Sequence, residues 1–440
     1  MPSGPVRSFA RLASVLLCLW APQPAGAAFV NFESGHVRPL AISPAGDRLF
    51  AVNTPDNRLA IYTITAGGLT LAAEVPVGLE PVAVAARTNL AGRTEAWVVN
   101  HLSDSVSIVE VDPADVTRSR VVRTLLVGDE PRDVVFAGSA HSRAFITCAH
   151  RGQNRPGDPQ LTTAGVGRAD VWAFDANNLG AALGGTPISG SPLALFGDTP
   201  RALAASPDGT VVYAAILDSG NQTTAITEQV VTNNGGLPPP PPGSTGGAPD
   251  TGLIVKFDGS RWRDEIGRDW SASVAFAVPD KDVFLLNADA TPLALVSGTS
   301  FVTGVGTVLF NMAVRPTTGK LYVANTDAQN QVRFEPFVRG HLAESRITVI
   351  SGTTATPHHL NPHINYGTVP GPQSEIDRSL AFPTHLAFSS DGHTLFVAGF
   401  GSGKIGIFNA DDLEAGVITE TQLAVGNGPS GATRRATGST

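Results

Sequence analysis

The sequence predicts an all-β fold assembled from recurring strand units, and three observations carry that expectation. Charged residues make up 15% of the 440-residue chain, against about 25% in an average domain. Glycine and proline together are abundant, with 47 and 33 copies, which implies many tight turns and few exposed helices. Most directly, one pattern of short apolar segments and polar turns returns along the chain.

The clearest copy runs from Pro39 to Thr63. Leu40-Ala41-Ile42 is followed by the turn Ser43-Pro44-Ala45-Gly46-Asp47, a second segment Leu49 to Asn53, the turn Thr54-Pro55-Asp56-Asn57, and a third segment from Leu59. Proline presets φ, while glycine and asparagine accept positive φ, so each turn fixes the ends of the strands beside it. Further copies begin at Pro81 (with Trp97 to Asn100 and Val106 to Val109), Pro131 (Phe145 to Cys148, then Val171 to Phe174), Pro200 (Ser206-Pro207-Asp208-Gly209, then Val211 to Ala215), Ala313 (Leu321 to Asn325) and Pro383 (Ser390-Asp391-Gly392, then Leu395 to Ala398).

A second marker, Gly-x-x-Pro, stands at Gly78–Pro81, Gly128–Pro131, Gly197–Pro200 and Gly426–Pro429, between the last strand of one unit and the first of the next. From Gly78 to Gly128 the interval is 50 residues, the length of one blade of a β-propeller, whose units bury their faces only against one another. The stretch Trp270 to Gly306, with Val283 to Asn287, reads as a weak blade of its own. Counted with it, seven units begin before Gly426. The expected fold is therefore an all-β propeller of about seven four-stranded blades. Asn233 to Asp250, with consecutive prolines from Pro238 to Pro242, cannot pair in a sheet and reads as a loop inserted in the fourth unit.

Leu49-Phe50-Ala51-Val52-Asn53, Trp97-Val98-Val99-Asn100 and Leu321-Tyr322-Val323-Ala324-Asn325, each followed by a polar turn and another strand, resemble the YVTN-type β-propeller repeat. The resemblance spans roughly residues 37 to 431 and implies a propeller similar to the lactonase-like seven-bladed superfamily. That architecture hosts lactonases, electron-transfer partners and adhesion modules, so it implies fold more than function.

The ends carry their own signals. Arg7 and Arg11, an apolar run from Leu12 to Trp20 and the small-residue pattern Ala25-Gly26-Ala27 form a secretory signal with cleavage after Ala27. Leu17 before Cys18 is too large for a lipoprotein signal. No other stretch approaches the about 20 apolar residues of a membrane span, so the mature chain is expected in the periplasm or outside the cell, without a transmembrane segment. Removing residues 1–27 strips two arginines and no acid, so the formal charge of −8 becomes more negative and no nucleic-acid footprint remains. Cys148 is then the only cysteine, and no intrachain disulfide can form. Residues 28–431 are expected to form the propeller and 432–440 a disordered tail. After the junction Gly426–Pro429 no apolar segment follows, which reads as a last blade left incomplete by C-terminal truncation of a longer protein. The chain carries no Cys-x-x-Cys-His for covalent c-type haem.

Three sets of residues are candidate sites. His358, His359 and His363, in Pro357-His358-His359-Leu360-Asn361-Pro362-His363, are candidate ligands of a divalent metal; the opposing reading is an extended loop whose imidazoles point apart. Arg38, Arg132 and Arg201 flank the junction prolines of three units and would ring an anion-binding channel mouth, unless each pairs with a local acid such as Glu130. Asn53, Asn100 and Asn325 share one repeat position, either facing a ligand or forming turns. Cys148 takes that same position in the third unit and reads as a buried thiol, and Asp158, Asp170 and Asp175 match no calcium-loop spacing. No catalytic serine elbow or phosphate loop is present. Three functions stay open at this stage: an exported binding module for a protein, polymer or redox partner; a lactonase-like hydrolase; and the propeller portion of a larger haem- or copper-dependent redox protein.

Overall fold

A computed structural model describes residues 35–149, 168–197, 199–217, 219–220, 222–239, 251–275, 280–329, 343–366, 368, 371–426 and 428–433. The signal segment 1–27, His150, Asp158, most of the proline-rich insertion and residues 434–440 lie outside them. The described residues form seven antiparallel sheets. Six follow one another along the chain as blades, each an antiparallel meander running outward from its first strand.

The innermost strands are Leu40–Ile42, Pro81–Thr88, Val134–Ala137, Pro200–Ala205, Val308–Val314 and Pro383–Phe388. Consecutive ones lie beside each other, as expected for blades around a common axis. The Ser-x-x-Gly turns explain how each first strand reverses. In the fourth blade Gly209 takes φ +73°, and the Ser206 hydroxyl accepts the Val211 amide at 3.0 Å. Ser43 with Gly46, and Ser389 with Gly392, repeat the arrangement. These glycines supply the left-handed residue that a tight hairpin requires.

Alternation along the strands gives each blade two apolar faces, and five clusters of buried side chains fill the five successive blade interfaces. Phe50, Ile61 and Val98 join the first two blades. Trp97, Ile146 and Trp172 join the second to the third. Phe145, Val212 and Phe284 serve the next interface, Ala202, Leu309 and Val323 the one after, and Tyr322, Leu395 and Phe408 the last.

The stretch Trp270–Gly306 does not form a blade of its own. Val283–Asn287 pairs antiparallel with Val211–Ile216, and Ala294–Leu295 and Phe301–Val302 pair with it in turn, so this stretch completes the fourth blade. The seventh sheet comes instead from the inserted chain. Thr223–Ile226, Leu253–Phe257 and Trp262–Arg263 form three strands with their own small core of Ile226, Val231, Leu253, Val255 and Trp270. The strand at Leu253 is thus part of this accessory sheet rather than of the fourth blade.

Between the sixth and first blades the chain places residues 428–433. The Thr384 hydroxyl donates to the Pro429 carbonyl at 3.1 Å, and the Ala432 amide donates to His385 Nδ1 at 3.3 Å. His36 links the segment to the first blade. The Thr54 hydroxyl donates to the Pro81 carbonyl, so it accepts from His36 Nε2, and Nδ1 is left to accept from the Ser430 hydroxyl at 2.9 Å.

Candidate functional site

The junction prolines explain how the axial groups come together. In the second, fourth, fifth and sixth blades the first strand bulges close to its start, between Pro81 and Ala83, Pro200 and Ala202, Leu309 and Asn311, and Pro383 and His385. A bulge re-aims the side chains on either side of the extra residue. Arg201 occupies the bulge itself, and Arg132 stands at the same distance after Pro131. Arg38, bridged to Ala83, holds the equivalent place in the first blade. One residue further on come Asp133, Asn311 and His385.

These groups knit four blades. Arg38 donates to both carboxylate oxygens of Asp133, Nε to Oδ1 at 3.1 Å and the terminal nitrogen to Oδ2 at 3.0 Å. It also donates to the Leu203 carbonyl at 2.7 Å. Asp133, fully buried, additionally accepts the Leu203 and Val134 amides, each at 2.9 Å. Arg201 donates to the Phe310 carbonyl at 3.1 Å and the His36 carbonyl at 2.7 Å. Asn311 donates to the Val37 carbonyl at 2.5 Å. Burial, with the neighbouring Arg132 charge, lowers the Arg201 guanidinium to about 10, against the opposing pull of Asp133.

The sequence places the three arginines at the axis, and the structure does bring them into one electrostatic neighbourhood. Their partners differ from blade to blade. Arg132 pairs with its near neighbour Glu130 at 3.8 Å, Arg38 reaches across to Asp133 of the third blade, and Arg201 is held by backbone carbonyls.

Beside this cluster a cavity of 310 Å³ is lined by Arg38, Leu40, Val314, His385, Phe388 and Ala432 among others. The His385 ring is buried. Because Nδ1 accepts the Ala432 amide, the proton of the neutral ring sits on Nε2, and that N–H has no hydrogen-bond partner among the described residues. Burial, then the Arg38 charge, pushes its pKa down to about 3. The cavity is therefore lined by Arg38, whose charge is shared with Asp133, and by His385, whose buried Nε2–H has no partner among the described residues; such N–H donors suit the oxygens of a carboxylate, phosphate or carbonyl.

The remaining sequence candidates take structural places. Asn53 donates to the Asp56 carboxylate at 2.8 Å and caps its own turn. Asn100 is buried and donates to the Ser105 and Ser107 hydroxyls at 3.2 and 3.0 Å. Asn325 is buried and donates to the Val323 carbonyl and the Thr348 hydroxyl at 3.0 and 2.9 Å. A Cβ on Gly78 would meet the Asn100 carboxamide, one on Gly128 the Cys148 side chain, and one on Gly306 the Asn325 carboxamide. The repeat asparagine, or the cysteine in its place, and the glycine before the next strand are thus two halves of one packing contact in these blades.

The three histidines do not converge. His358 and His359 are consecutive residues on the outermost strand of the fifth blade, so they point to opposite faces. His359 lies 3.1 Å from the Tyr366 hydroxyl, His363 Nε2 lies 3.1 Å from the Glu375 carbonyl, and burial lowers the pKa of His358. Among the described residues no three His, Cys, Asp or Glu side chains are grouped as metal ligands. Cys148 is fully buried, and burial raises its thiol pKa well above the usual value, Asp170 adding to the effect.

Asp133, Asn311 and His385 escaped the sequence reading. Their repeat position holds Ala83 and Ala202 in other blades, so no residue type recurs there. Counting two residues on from Pro131 and Pro383 finds two of them.

No family model matches the chain, and no curated protein matches it. Among solved structures, hydrazine synthase from Kuenenia stuttgartiensis shares 16% identity and a TM-score of 0.54 over 92% of this chain and 91% of that one. A protein from Bacteroides uniformis assigned as a 6-phosphogluconolactonase shares 14% identity and a TM-score of 0.51 over 89% of this chain and 86% of that one. Among the described residues no helix is long and apolar enough to cross a membrane. At these identities the likeness concerns architecture, and the architecture is that of a β-propeller.

Proposed function

We propose that this chain is an exported propeller that works as a binding module and takes an anionic group in the cavity between its sixth and first blades. The observation that carries the reading is the buried Nε2–H of His385, without a partner among the described residues, on a residue that lines the same cavity as Arg38. The chain as a whole is acidic, so the axial arginines are a local feature and not a reflection of bulk charge. Export rests on the Arg7 to Ala27 signal. A partner protein or polymer would engage the cavity through a carboxylate or phosphate. Calorimetry with acetate, gluconate and inorganic phosphate tests the reading on the mature chain. Binding that is lost in His385→Phe supports it, and absence of binding by all three anions, or binding unchanged in the variant, overturns it.

A second reading draws on the fold shared with the Bacteroides protein. A lactone carbonyl in the same cavity would be polarised by Arg38 and the His385 N–H. With a pKa near 3, His385 is too weak a base to activate water itself, so its role would be that of a donor. Lactone hydrolysis by the wild type and by His385→Phe, with and without divalent ions, tests this reading. Equal absence of turnover in every arm removes it.

A further inference from the structure

Where the accessory sheet leaves and rejoins the fourth blade, two carboxylates are held side by side. Asp282 Oδ2 accepts the Val305 amide at 2.6 Å. Asp280 Oδ2 accepts the adjacent Gly304 amide at 3.1 Å and the Gln222 carboxamide at 3.3 Å. Consecutive amides of one turn thus fix both groups, and the two side chains come within hydrogen-bonding reach of each other. The second oxygen of each, Oδ1, is buried and without a hydrogen-bond donor among the described residues. Asp282 as a whole is completely buried.

Among the described residues no cationic side chain is paired with either carboxylate. Lys281, between the two in sequence, lies over the Phe196 and Phe301 rings at 5.2 and 4.9 Å, and no ion pair joins either carboxylate to a described residue. Two adjacent carboxylates that each keep a buried oxygen without a donor repel one another, and a cation placed on those oxygens would remove the repulsion. A site built from carboxylate oxygen, with the Ser219 hydroxyl also within reach of Asp282, suits a hard ion. Carbonyl and water oxygens complete such coordination, and soft metals find no thiolate or imidazole in it.

We propose that Asp280 and Asp282 bind a hard divalent cation, Ca²⁺ or Mg²⁺, that staples the root of the accessory sheet to the fourth blade. The ion would join the chain at Ser219 and Gln222, the strand entry at Asp280 to Asp282, and the turn at Gly304 and Val305.

The test is calorimetric titration of the EDTA-treated mature chain with CaCl2 and with MgCl2, paired with thermal melts. One equivalent of either ion is expected to bind and to raise the melting temperature by mass action. Asp280→Asn and Asp282→Asn should each weaken binding by about tenfold or more, as loss of a metal-site carboxylate requires. Asn at position 282 can donate to Asp280, so this variant should melt in EDTA no lower than the wild type. That keeps loss of metal separate from loss of fold. Failure of both ions to bind would show that the pair holds no cation. Binding unchanged in both variants would place the ion elsewhere. Either result overturns the proposal.

Discussion

Arg38 of the first blade forms a two-point ion pair with Asp133 of the third, the nearer contact at 3.0 Å with the carboxylate fully buried. Removing one partner of a buried pair costs about 3–5 kcal/mol, because the other is left desolvated. Arg38 retains some exposure, so Asp133→Ala is expected to lie near the low end, at about 3 kcal/mol. A urea denaturation series checks this, with the midpoint falling and the slope unchanged.

His385 makes the fold sensitive to acid. Its folded pKa is about 3, below the ordinary value near 6.5. Between these values the unfolded chain binds a proton that the folded chain refuses. Stability from this residue is therefore complete above about pH 6.5 and lost as pH falls toward about 3, at up to about 1.4 kcal/mol per pH unit. Melting curves from pH 4 to 7 should be shallower in His385→Phe than in the wild type. Parallel curves would show that His385 does not titrate on unfolding.

The fifth and sixth blades are joined by Arg315, which donates to Glu414 at 2.8 Å, to Asp411 at 2.5 Å and to the Gly392 carbonyl at 2.8 Å. Tyr322 also donates to Glu414, at 2.7 Å. Arg315 is almost wholly buried, so Glu414→Ala takes one of two carboxylates from a buried guanidinium and the nearer acceptor from the Tyr322 hydroxyl, leaving Asp411 and the Ala410 carbonyl as their partners. A loss of about 3 kcal/mol is expected. Asp411→Ala should cost less, since that carboxylate is itself more than half exposed.

Junction glycine and repeat asparagine should be energetically coupled. Gly78→Ala alone drives a methyl against the Asn100 carboxamide and the Ser103 hydroxyl. Asn100→Ala alone leaves the Ser105 and Ser107 hydroxyls without their donor, at about 1–2 kcal/mol. In the double variant the clash with Asn100 is gone. The pair should therefore be less destabilised than the sum of the singles by about 1 kcal/mol, as read from a double-mutant cycle in urea.

Cys148 should be chemically silent in the native mature chain. Its burial and raised pKa withhold the thiolate that reacts with disulfide reagents. Ellman's reagent at pH 8 should register no thiol until guanidinium is added, and then one per chain.

Local chemistry made much of the architecture readable in advance. Ser206-Pro207-Asp208-Gly209 contains both the hydroxyl that closes its turn and the glycine that permits it. Gly78 and Asn100 belong to separate motifs in the sequence yet to one contact in the fold. Pairing between distant segments was not readable. Val283 to Asn287 has the pattern of any buried strand, and only its register with Val211–Ile216, across the inserted chain, makes it part of the fourth blade. The axial groups were half legible. Arg132 and Arg201 stand beside their prolines, whereas Asp133 and His385 acquire meaning only where blades distant in sequence meet. Side-chain direction explains the histidines, since strand alternation separates two neighbours that look like a pair on paper.

The Ile216 amide donates to the Asp282 carbonyl at 2.9 Å, so the two ends of the inserted chain leave the fourth blade as adjacent partners in a hairpin. A short turn would close that hairpin as well as the accessory sheet does, because the sheet carries its own small core. The inserted sheet thus hangs on the fourth blade from one pair of neighbouring strands, a branch on the blade and not a link in the order of blades.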